Sequence, residues 1–173
     1  TNLAGVDANG AIDVYVRNLT DGTTERASLT SSGQTGNAQS DSPAISNDGR
    51  YVTFGSIATN MVVGDTNGDG DVFRRDLVAD TTIRVSVASG GTQSTGGDSN
   101  PDMQSVSDDG RYVAFSSAAT NLVAGDTNGT WDIFRRDITG GSTVRVSVSD
   151  AEAQATGAST QPAMSADGAA VAF

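Results

Sequence analysis

The chain alternates short apolar runs with clusters of Asp, Asn, Gly and Ser. In its middle part Pro43–Ser46 ends in the turn Asn47-Asp48-Gly49, and Arg50–Phe54 follows. Asp-Gly between two apolar runs is a hairpin signal, because glycine takes positive φ without a steric cost. After an Asp/Asn/Gly loop come two more strand-like runs, Asp71–Leu77 and Thr82–Val87. The pattern therefore predicts four short antiparallel strands joined by turns.

The same pattern recurs three times. Asp13-Val-Tyr15 returns as Asp71-Val-Phe73 and Asp132-Ile-Phe134, spaced by 58 and then 61 residues. Arg26-Ala-Ser28 returns as Arg84-Val-Ser86 and Arg145-Val-Ser147. The three extra residues of the longer spacing fall in the Gly/Ser-rich segment before Val106, which places an insertion in a loop. Units of 1–58, 59–119 and 120–173 follow as three repeats of one domain or of part of a larger one. Four antiparallel strands per unit describe a propeller blade. The predicted class is all-β: two whole blades flanked by two half-blades, strands three and four at the front and strands one and two at the back. Eight of the nine aromatic residues are locked to repeat positions, which predicts packing between blades. Trp131 alone has no aromatic counterpart. Its options are stacking on a sugar or covering a loop or a neighbouring chain.

The run Ser46-Asn-Asp-Gly-Arg-Tyr-Val-Thr-Phe54 is echoed by Ser107–Phe115 and by Ser165–Phe173. With the third-strand runs Asp71–Leu77 and Asp132–Ile138, it resembles the repeat of the TolB-like (WD40-like) bacterial β-propellers. The resemblance implies a propeller of about six or seven blades and a role as an interaction scaffold. In the third copy Ala169 and Ala170 stand where Arg and Tyr stood. A chain that starts at Thr1 is expected to be a processed or excised piece.

Composition narrows the chemistry. Of 173 residues 21 are acidic and ten basic, all of the latter Arg, giving a net charge of -11. Lys, His and Cys are absent. That excludes, within this chain, Ser–His–Asp and Cys–His catalysis, Schiff-base lysines, disulfides and thiolate or imidazole zinc sites. The negative charge argues against a nucleic-acid partner, and no apolar run suits membrane insertion. The sequence is read as that of a protein that is not an enzyme.

The most chemical motif is Asp65-Thr-Asn67-Gly-Asp69-Gly-Asp71. Oxygen donors at alternate positions with intervening glycines are similar to the first half of an EF-hand loop and suit Ca²⁺. Asp65, Asn67, Asp69 and Asp71 are the candidate ligands here. Asp7, Asn9 and Asp13, and Asp126, Asn128 and Asp132, are the candidates in the other two copies. The alternative is a plain Asx turn whose last Asp caps backbone N–H groups. In Arg74-Arg75-Asp76 and its repeat Arg135-Arg136-Asp137, Arg74 and Asp76 share a strand face, which predicts an ion pair between them.

The functional expectation is a non-catalytic, calcium-binding propeller module that is extracellular, or in second place periplasmic, and serves as a protein-interaction scaffold. Two alternatives accompany it. One is an extracellular structural protein that self-assembles head to tail into rings or filaments by blade complementation, with itself as partner. The other is the propeller portion of a larger hydrolase.

Overall fold

The computed structural model describes residues 3–4 and 9–173, those at 100–104 by backbone alone. Twelve strands form among the described residues, and no helix. The first pair is β1 (Tyr15–Arg17) with β2 (Thr24–Arg26). The first four-stranded sheet runs in order through β3 (Ser40–Ile45), β4 (Tyr51–Ser56), β5 (Asp71–Asp76) and β6 (Thr81–Arg84). The second holds β7 (Ser99–Val106), β8 (Tyr112–Ser117), β9 (Asp132–Asp137) and β10 (Ser142–Arg145) in the same order. A last pair joins β11 (Ala163–Met164) to β12 (Val171–Ala172). Every pairing is antiparallel. The two four-stranded blades and the two-stranded sheets before and after them match the predicted architecture.

The core lies between sheets. Val14 and Ala27 of the first hairpin region pack with Val52, Phe54, Met61 and Phe73 of the first blade. Val72, Val85 and Tyr51 of the first blade pack with Val113, Phe115, Leu122 and Phe134 of the second. The first blade is thus covered on both faces, which explains why β4 and β5 are buried almost throughout instead of alternating. Phe54 faces Phe73 in register, with ring centroids 5.8 Å apart, and Phe115 faces Phe134 at the same separation. All four rings are fully buried. Burying one such ring stabilises by roughly 1.5–3 kcal/mol.

The repeat spacing has a structural cause that differs from the expected one. Between Ser40 and Ser46 lie two residues fewer than between Ser99 and Ser107. Ser40 and Ser99 hold the same place, opposite Ser56 and Ser117. Two of the three extra residues therefore sit inside β7, in an irregularity between Asn100 and Ser105, and not in a loop. A bulge absorbs extra residues in one strand while the flanking register holds.

The turns explain the Ser-x-Asp-Gly motif. Asp48 accepts from the Ser46 hydroxyl at 2.5 Å and from the Arg50 N–H at 3.0 Å, while Ser46 Oγ accepts from the Tyr51 N–H. Asp109 and Asp167 repeat the arrangement with Ser107 and Ser165. These hydroxyls, with the backbone N–H groups, hold all three carboxyls below the usual carboxylate range.

Candidate functional site

The Asp/Asn loops fold around arginine. Arg84, on the edge strand β6, lies in register with Phe73 two residues after Asp71. Its guanidinium stands 3.3 Å from Asp65 and 3.5 Å from Asp71. All three side chains are almost completely buried. Arg145 does the same in the next copy, 3.5 Å from Asp126 and 3.3 Å from Asp132. In the first copy Arg26 Nε is 3.4 Å from Asp13. Asp7, its expected loop partner, lies outside the described residues.

The remaining loop residues serve the same knot. Asn67 donates to Asp71 Oδ2 and to the Ser94 carbonyl, and its Oδ1 accepts from the Asp69 N–H. Asn128 donates to Asp132 and to the Ala155 carbonyl, and accepts from the Thr130 N–H. Asn9 donates to the Gly36 carbonyl at 2.8 Å and accepts from the Ala11 N–H. The last Asp of each motif also takes a serine hydroxyl. Ser86 donates to Asp71, Ser147 to Asp132 and Ser28 to Asp13. The same hydroxyl accepts the N–H of the residue after that Asp, which ties the loop to the third strand. Gln154 adds donors to Asp126 and Asp132.

The structure thus brings Asp65, Asn67 and Asp71 together, and Asp126, Asn128 and Asp132, while Asp69 joins through its backbone. Arg26, Arg84 and Arg145 are the members not assigned to the loops from sequence. Their signal was the threefold Arg-x-Ser repeat. Among the described residues no group of three carboxylates gathers as a metal cage. In each of the two complete loops two carboxylates face one guanidinium, and the first loop carries Asp69 besides. Burial pushes Asp65 and Asp126 above the usual carboxylate range, against the opposing pull of Arg84 and Arg145. A cation that took both carboxylates of a loop would have to displace the guanidinium.

The Arg-Arg-Asp runs make ion pairs, but with other partners than expected. Asp76 receives a two-pronged bond from Arg50, at 3.0 and 2.8 Å. Asp137 receives the same from Arg111, at 2.9 and 2.7 Å. Arg74 instead lies over the ring of Tyr51 at 4.8 Å and donates to the Gly110 carbonyl of the next repeat. The register decides this. Asp76 pairs with Tyr51, next to Arg50, whereas Arg74 is opposite Thr53 and reaches outward to the neighbouring blade.

Trp131 stands apart from these knots. It is half-buried and immediately precedes β9, where the first blade has Gly70. It lines a cleft of about 270 Å³ between the two blades, together with Asp41 and Asp98.

No protein-family model and no curated protein matches the sequence. Solved structures do resemble the fold, two of them described as TolB. One is TolB from Acinetobacter baumannii, at 22% identity and a TM-score of 0.53 over 92% of this chain. The other is described as a putative TolB from Agrobacterium tumefaciens, at 18% identity and a TM-score of 0.47 over 77% of this chain. The chain spans 31% and 40% of the lengths of those two proteins. Taken with its four-stranded antiparallel blades, the likeness to the Acinetobacter structure gives the chain a TolB-like β-propeller fold.

Proposed function

We propose that this chain is a non-catalytic propeller segment that holds protein partners, working outside the cytoplasm in the periplasm or beyond it. The observation that carries this reading is the commitment of the repeat-locked charges to structure. Arg50, Arg84, Arg111 and Arg145 each close an ion pair within the fold. The likeness to the TolB fold supports the same reading, although fold alone does not assign function. The test is affinity capture by the immobilised chain from an envelope extract, against an unrelated protein of equal charge. The expected result is stoichiometric retention of a defined protein. Retention of nothing, with turnover of a small-molecule substrate, would favour the hydrolase alternative. Retention of a second copy of the chain alone would favour self-assembly.

Calcium binding at the loops is a second proposal. What favours it is the surplus of negative charge in each complete loop, two carboxylates facing one guanidinium, with Asp69 a further acid in the first. The residues would be Asp65, Asn67 and Asp71, with Asp126, Asn128 and Asp132, after Arg84 and Arg145 swing away. Titration calorimetry at millimolar Ca²⁺ tests it. Binding heat with a rise in melting temperature supports the proposal, and the absence of both overturns it.

A further inference from the structure

The cleft beside Trp131 combines groups that the fold elsewhere uses to hold arginine. Tyr51 carries two guanidinium groups, Arg50 and Arg74, each 4.8 Å from its ring centre. Arg50 is at the same time clamped by Asp76. Tyr112 repeats this with Arg111, Arg135 and Asp137. At Arg50 and Arg111 the chain thus holds an arginine by an aromatic face with a carboxylate beside it. This geometry is favourable because the ring face attracts the cation and the carboxylate takes its N–H donors.

In the cleft Trp131 supplies the aromatic wall and Asp41 and Asp98 supply carboxylates, while no arginine is among the described lining residues. Asp98 is exposed, and its Oδ1 accepts from the Gly70 N–H at 2.8 Å. Asp41 accepts from Gln39. These bonds orient both carboxylates while leaving each with further lone pairs. The cleft is open because Gly70 replaces a side chain at the position equivalent to Trp131. A Cβ there would come within 3.5 Å of Asp98 Oδ1 and 3.7 Å of Ile57. Ile57, 60% exposed, adds an apolar patch for the stem of a long side chain.

We propose that this cleft receives an arginine side chain of a partner protein, the guanidinium stacked on Trp131 and bonded to Asp41 and Asp98. The proposal rests on the scaffold reading and names the chemistry that the partner presents. The charge of the chain, -11, adds long-range attraction for such a partner.

Trp131 is the single tryptophan, so its fluorescence reports on this cleft alone. The probes are acetyl-Ala-Arg-Ala-amide and the same peptide with citrulline, which keeps the shape and loses the charge. The expected result is a saturable change with the arginine peptide, and none with the citrulline peptide. Binding should weaken about tenfold or more in the double variant Asp41→Asn, Asp98→Asn, whose melting temperature confirms that it is folded. No saturable change up to about 10 mM peptide, in the range of the weakest useful affinities, would overturn the proposal. So would an equal response to the citrulline peptide, or a response to methyl glucoside in place of the arginine peptide. If the peptide fails while capture still yields a protein partner, this site falls and the scaffold reading stands.

Discussion

Tyr51 lays its ring directly on Gly110, the glycine of the next repeat's Asp-Gly turn. A Cβ on Gly110 would stand 2.4 Å from a ring carbon of Tyr51, and its φ is +68°. Tyr112 and Gly168 repeat the contact one unit later, again at 2.4 Å. The turn glycine therefore does two things. It closes its own hairpin and gives the preceding blade a flat surface to pack on.

Gly49 separates these roles, since it has a φ of +75° and nothing within 4 Å of a built Cβ. Gly49→Ala is expected to cost about 1 kcal/mol, from the left-handed conformation alone. Gly110→Ala adds overpacking against Tyr51, for a total of about 2–4 kcal/mol. Urea denaturation of the two variants checks this. Equal losses would show that the ring does not bear on the glycine.

The buried knot at Arg84 predicts a second asymmetry. Arg84→Met leaves Asp65 and Asp71 facing each other without their cation, which is expected to destabilise by about 3–5 kcal/mol. Adding Asp65→Asn should return part of that loss, because it removes one of the two stranded charges. A double-mutant cycle measured by denaturant unfolding tests it, and strict additivity of the two changes would contradict the pairing.

The carboxyl groups set opposite pH dependences. Asp76 is held down to about 2, first by the Arg50 bond and then by the Ala79 and Val78 N–H groups. Its contribution is complete above its unfolded value, near 4, and is lost as pH falls towards about 2. Asp137 acts in the same direction through Arg111. Asp65 and Asp126 are raised by burial, so protonation favours the folded form and their penalty is relieved on acidification. On acidification the relief at Asp65 and Asp126 should therefore raise the melting temperature first, and the loss at Asp76 and Asp137 should lower it below about 4. Asp76→Asn should flatten the acid limb in calorimetric scans.

The hydrophobic pattern made the architecture legible. The Asp-Gly turns and the third-strand runs placed the four strands of each blade, and the Phe54–Phe73 and Phe115–Phe134 positions placed the core. The bulge in β7 was not legible, because spacing counts extra residues without saying which side of a strand end they occupy. Nor was the partner of Asp76. Same-face spacing pointed to Arg74, but register puts Arg50 within reach and turns Arg74 towards Gly110. The loops were visible as oxygen-rich motifs. Their arginine was not assigned to them, because Arg84 lies 13 residues beyond Asp71 and comes back to it only through the β5–β6 pairing. Trp131 stood out as unmatched, yet only the fold shows that it lines one cleft with Asp41 of the other blade.

Amide hydrogen exchange on the chain, alone and with its captured partner, tests the scaffold claim most directly. Slower exchange is expected over one contiguous surface spanning both blades, with the paired core strands β4, β5, β8 and β9 unchanged. Exchange rates that stay the same throughout the chain in the presence of envelope proteins would contradict it.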